Sequence, residues 1–141
     1  SNGDKSKFIN QLLKKALIEK NGSAVDYILQ TIYVNGYSDN FNEVLCELSL
    51  IREKWLYMQE DISTILGEIK NENSVPYLAK LATDYPISDV HSIPLKAIWG
   101  LRRIGNSDAL KSLQNLTKCG DEKKMKMAQE QIDYYFKRDE L

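Results

Sequence analysis

Ile62, Leu66, Ile69, Val75, Leu78 and Leu81 recur 35 residues later as Ala97, Leu101, Ile104, Leu110, Leu113 and Leu116. Within each set the spacings of three and four put the side chains on one helical stripe. A short polar break, Lys70 to Ser74 or Gly105 to Asp108, divides each set in two. Each set therefore reads as helix, turn, helix. A fixed period of this length marks stacked repeats, because one helix pair cannot bury both of its apolar faces and a neighbour must cover the second. The spacing predicts an all-α fold.

The same periodicity, followed along the chain, predicts about eight helices. The first runs from Asp4 to Lys20 and is stopped by Asn21-Gly22. The second is capped by Ser23 and ends at Asn35-Gly36. The third starts near Asp39 or Asn40 and carries Phe41, Val44, Leu45 and Leu48. The fourth extends from Glu53 to Lys70, with Trp55, Met58 and Ile62 inward. The fifth opens at Asn73 or Ser74 with Pro76 in its first turn, where a missing N–H is harmless, and ends near Asp84. After a loop from Tyr85 to Ser92 come a sixth helix over 93–104, a seventh capped by Ser107 or Asp108 and running to Lys118, and an eighth from Asp121 to Lys137. Ser1-Asn2 reads as a tag remnant and stands outside the fold argument.

Composition narrows the function classes. The 141 residues fit one domain, and a net charge of -1 argues against a general nucleic-acid or membrane-surface binder, both of which need a basic excess. Cys46 and Cys119 have neither disulfide-framework nor zinc spacing and read as reduced thiols, as in a cytoplasm. No apolar run is long enough to span a bilayer. The end, Arg138-Asp139-Glu140-Leu141, approaches a retrieval signal but reads as a polar helix end.

Between Glu53 and Phe136 the chain resembles the HEAT-repeat family in its short bacterial form. The residues that carry the likeness are Glu60-Asp61-Ile62, Leu66-Gly67-Glu68-Ile69, Val75-Pro76-Tyr77-Leu78, Lys96 to Leu101, Ile104-Gly105, Ala109-Leu110 through Leu116, and then Asp121, Met125-Lys126 and Ala128. The resemblance implies a right-handed α-solenoid of stacked antiparallel helix pairs. In that frame residues 4–22 form a cap helix, 23–52 a degenerate repeat, 53–85 and 92–119 two repeats, and 121–137 a half repeat. A basic residue that the pattern wants at a helix start is Leu95 here, so the acid–base ladder joining repeats is left unassigned.

Candidate chemistry is sparse. The lone histidine, His91, shares its loop with Asp84, Tyr85 and Asp89, and reads as part of a polar loop rather than an acid–base site. Without a second histidine, a glycine-rich phosphate loop or a base near either cysteine, neither a metal, a cofactor nor a catalytic group is assigned. The carboxylates Glu60, Asp61, Glu68 and Glu72 read as a solvated face, and Lys118, Lys123, Lys124 and Lys126 as a solvated helix start.

The resemblance points to a non-enzymatic protein-binding module, monomeric by itself. In such stacks the second helices of the pairs line the concave face. That places Tyr77, Lys80, Asp84, Ser112 and Asn115 outward there, with Tyr77 above Ser112 and Lys80 above Asn115 across the period. From the third helix, Asn42, Glu43 and Glu47 extend it with acidic character. A basic toxin domain, neutralised by the chain as an immunity protein, suits those acids. The alternative is a HEAT-like enzyme such as a DNA alkylpurine glycosylase or a bilin lyase.

Overall fold

The computed structural model describes residues 2–88 and 92–139. Among them are eight α-helices and no strand: α1 (Asn2–Ile18), α2 (Gly22–Asn35), α3 (Asn42–Ser49), α4 (Gln59–Ile69), α5 (Val75–Asp84), α6 (Ile93–Ile104), α7 (Ser107–Leu116) and α8 (Glu122–Asp139). Single 3-10 turns, 39–41 and 72–74, lead into α3 and α5. No helix among the described residues is long and apolar enough to cross a membrane.

Burial follows the repeat. Ile62, Leu66, Leu78 and Leu81 are sealed, and so are Ala97, Leu101, Leu113 and Leu116. The paired positions Ile69 and Ile104 are both half-buried. Covering one such aliphatic side chain is worth about 1.5–3 kcal/mol, and this stripe joins the single core cluster that extends from Ile9 to Ile132.

The contacts sort the helices into two rows. Along one, α1 lies against α3, α3 against α5 and α5 against α7. Along the other, α4 lies against α6 and α6 against α8. Hydrogen bonds from Tyr33 and Gln30 to Asp61 tie α2 to α4 on that second side. The closest approach is the α4–α6 crossing. A Cβ at Gly67 would stand 2.8 Å from the Gly100 Cα, so nothing larger than hydrogen fits between the backbones.

One turn is used three times. Lys20, Lys70 and Gly105 each take a left-handed conformation, with φ of 52°, 60° and 64°. The next residue in each case is an asparagine whose side chain accepts a backbone N–H: Asn21 from Ala24, Asn71 from Asn73 and Asn106 from Ala109. The left-handed residue ends a helix and the asparagine starts the next. The α1–α2 hairpin therefore shares the joint of α4–α5 and α6–α7.

Several boundaries differ from the sequence reading. The cap of α2 is Asn21, not Ser23, and that of α7 is Asn106, not Ser107 or Asp108, because the asparagine already satisfies the first free N–H. The fourth helix begins at Gln59 rather than Glu53. Residues 51–58 instead cross beside the start of α2, where the Trp55 carbonyl abuts Gly22; Leu56 and Met58 are buried from this irregular segment.

Candidate functional site

The row α3, α5, α7 carries the residues expected to bind a partner. Its first groove, about 260 Å³, lies between α3 and α5. Glu43 and Asp39 stand on one side, Asn71, Asn73 and Tyr77 on the other, and Cys46 lies beneath them. Glu43 is exposed and Tyr77 half-buried, so the carboxylate and the phenol face a common space.

The floor of that groove is a closed polar cluster. Ser74 Oγ donates to Asn42 Oδ1 at 3.1 Å, Asn42 Nδ2 reaches Cys46 Sγ at 3.8 Å, and Cys46 Sγ lies 3.5 Å from Ser74 Oγ. All three residues are buried. Burial pushes the Cys46 thiol above its ordinary pKa; the Ser74 hydrogen bond opposes this, and the Glu43 and Glu47 charges add to it. The sulfur is held as a neutral thiol, a packing group and not a nucleophile. Asn71 Nδ2 donates to Asp39 Oδ1 at 3.0 Å and fixes the groove's end.

The second groove, about 270 Å³, lies between α5 and α7 and is lined by Ala79, Thr83, Ser112, Asn115, Leu116 and Cys119. Ser112 and Asn115 thus sit together, one turn apart. Lys80 and Asp84 lie elsewhere on α5, in an ion cluster: Asp84 Oδ2 accepts from Arg52 Nη2 at 3.1 Å and lies 3.3 Å from Lys80 Nζ. Burial raises the Asp84 pKa, but the hydrogen bonds from Arg52 and Lys80 outweigh it and leave the carboxyl below its ordinary value. The Arg52 guanidinium also covers the Tyr85 ring, 4.8 Å from its centroid. The expected set therefore divides into Glu43 with Tyr77, Ser112 with Asn115, and Lys80 with Asp84. Glu47 is exposed on α3, near enough to bear on Cys46.

Sequence reasoning missed Arg52; Asn42, expected on the outward face, is buried, and Ser74, expected to cap α5, instead turns its hydroxyl to Asn42. Arg52 lay inside the segment assigned to the helix start, and only the fold brings it to Asp84. Asn42 and Cys46 are four apart on α3, a spacing that signals contact along a helix, but Ser74 reaches them from 28 residues beyond Cys46. His91 and Asp89 lie outside the described residues.

The opposite row is laced by polar contacts. Tyr33 Oη donates to Asp61 Oδ1 at 2.8 Å, and Arg103 Nη2 donates to Glu68 Oε2 at 3.2 Å across the 35-residue period. The Arg103 guanidinium lies 4.7 Å from the Trp99 ring centroid, and Arg102 lies 4.3 Å from that of Tyr134. Asp61 and Glu68 are half-buried and engaged, which corrects their reading as part of a solvated face. Lys124 departs from its reading too: it is buried, and its Nζ donates to the Thr83 carbonyl at 3.2 Å, strapping α8 to the end of α5. Among the described residues no three His, Cys, Asp or Glu side chains gather as a metal site requires.

No family model, curated protein or solved structure matches this chain.

Proposed function

We propose that this chain is a short HEAT-like α-solenoid that binds a partner protein along the face of α3, α5 and α7. The observation that carries the reading is the α3–α5 groove, which Glu43 and Tyr77 both line beside a buried, hydrogen-bonded cluster. An aromatic ring opposite a carboxylate suits an arginine or lysine of a partner, through cation–π attraction and charge pairing together. Asp39 and Glu47 extend the acidic character, so the partner surface is basic. A toxin domain neutralised by an immunity protein is one partner of that kind. In the α5–α7 groove, whose lining is mostly apolar, Ser112 and Asn115 supply hydrogen-bonding groups beside the anchor.

Tagged chain, expressed with its neighbouring genes, is used to recover the partner, and binding is then measured with purified proteins. Glu43→Lys with Tyr77→Ala weakens binding by about tenfold or more, as expected for an anchor. Tyr27→Ala, on α2, leaves it unchanged. Undiminished binding by the Glu43 and Tyr77 variant overturns the reading.

A further inference from the structure

Besides Asn2-Gly3 at the start of α1, the chain has two asparagine–glycine pairs, Asn21-Gly22 and Asn35-Gly36, at the two ends of α2. Such a pair carries its own chemistry. Glycine has no side chain to shield its backbone nitrogen. Once deprotonated, that nitrogen attacks the carboxamide carbon of the asparagine before it. The bond to the side-chain nitrogen breaks, ammonia leaves, and a five-membered imide remains. Water then opens the ring at one carbonyl to give aspartate, or at the other to give isoaspartate, in which the chain runs through the side-chain carbon. Ring closure requires the peptide between the two residues to swing out of its folded orientation, so the fold decides which pair reacts.

Asn21 is locked. Its backbone N–H donates to the Ala16 carbonyl at 2.9 Å, its carbonyl accepts from the Val25 N–H at 3.1 Å, and its Oδ1 accepts from the Ala24 N–H at 3.0 Å. Gly22 is buried, with its Cα against the Trp55 carbonyl, where not even a methyl group fits. Turning the Gly22 nitrogen toward the carboxamide would strip the cap from α2 and dislodge Gly22 from its packed position.

Asn35 is held far less firmly. Residues 33–37 are exposed. Gly36 has φ of 106°, and a Cβ built on it would meet nothing within 4 Å, so the peptide has room to turn. Two hydrogen bonds oppose the swing: the Gly36 N–H donates to the Ile32 carbonyl at 2.8 Å, and Asn35 Nδ2 donates to the Thr31 carbonyl at 3.1 Å. Both belong to the last turn of an exposed helix end, which opens at little cost.

We infer that Asn35 is a site of spontaneous deamidation in the folded chain, and that Asn21, in the same dipeptide, is protected by its packing. Conversion removes the side-chain bond to Thr31 and puts a carboxylate at the negative end of the α2 dipole, so the last turn of α2 loosens. Asn35 and Lys5 line the same groove between α1 and α2, so the new charge enters a groove whose charged group is an ammonium. The site is separate from the α3–α5–α7 face and stands or falls without it.

The folded chain is held in warm, mildly alkaline buffer and sampled over days. Peptide mapping by mass spectrometry follows Asn21 and Asn35 separately, and apart from Asn2. Asn35 converts to aspartate and isoaspartate, the latter accepting a methyl group from an isoaspartyl methyltransferase. Asn21 reacts at least about tenfold more slowly, because the packed start of α2 has to part first. In concentrated urea the order reverses: β-branched Val34 crowds Asn35, whereas Lys20 leaves Asn21 open, and Asn21 becomes the faster site. Equal rates at the two sites in the folded chain, an unreacted Asn35, or a preference for Asn35 that persists in urea overturns the inference.

Discussion

The stretch from α4 to α7 and the α1–α2 hairpin share a joint but differ in how completely they are covered. In the first, Ile62, Leu66, Leu78, Leu81 and Leu101 are sealed, and the helices approach until Gly67 meets Gly100. In the second, Leu13, Leu29 and Ile32 are sealed on the inner side, whereas Phe8, Leu12, Tyr27 and Val34 are left to solvent. The left-handed residue followed by asparagine folds a hairpin in either setting. The 35-residue apolar period does more: it matches one hairpin to the next and closes the gap. Local turn chemistry thus sets the hairpin, and repetition sets the packing between hairpins.

The sharpest contrast is between two leucines. Leu101→Ala removes a sealed side chain and lowers stability by about 2–5 kcal/mol, whereas Leu12→Ala costs less than about 1 kcal/mol because the side chain is already partly wet. Denaturant unfolding of both variants measures the difference, and equal costs would erase the distinction between the regions. Gly67→Ala comes next. Its methyl group would drive α4 from α6, at about 1–3 kcal/mol of overpacking, and a melting temperature equal to the parent's would show that the crossing is looser than described. The Glu68–Arg103 pair, each about one quarter exposed, is a smaller term. A double-mutant cycle with Glu68→Gln and Arg103→Gln gives a coupling of about 0.5–1 kcal/mol, shrinking in salt.

The smallest effect appears only at high pH. Burial, and then the hydrogen bond and charge of Asp61, raise the Tyr33 pKa well above its ordinary 10.0. A folded-state pKa above the unfolded one gives stability that is fully present below about pH 10 and fades as pH rises past it. Ultraviolet titration finds one phenol ionising later than the exposed tyrosines, and Tyr33→Phe removes that late step and part of the alkaline loss.

The all-helical class and most of the core were legible because the stripe of threes and fours recurs on both sides of one polar break, from Ile62 to Leu81 and again from Ala97 to Leu116. The fourth helix start was not, since Trp55 and Met58 keep the helical spacing of Ile62 and Ile65 although they precede Gln59, where the helix begins. Two of the three uses of the turn were hidden because Lys20 and Lys70 adopt a backbone conformation that glycine usually announces. At the site, the 35-residue register paired Tyr77 with Ser112 and Lys80 with Asn115, whereas Tyr77 shares a groove with Glu43 and Ser112 shares another with Asn115. Lys80 and Asp84 were placed on the right helix, but their engagement with Arg52 depends on a loop whose path no period encodes. On α1, Phe8 and Leu12 keep helical spacing with buried Ile9, Leu13 and Ala16 yet stay exposed, because a sequence does not say which half of a stripe finds a neighbour.

The thiol beneath the first groove makes the two cysteines an internal clock. Cys119 is open to water and meets an alkylating reagent at once, whereas Cys46 is shut in and held protonated. Its modification has to wait for α3 to part from α5, so the lag between the two labels times the breathing of this seam, and any protein gripping Glu43 and Tyr77 would lengthen it.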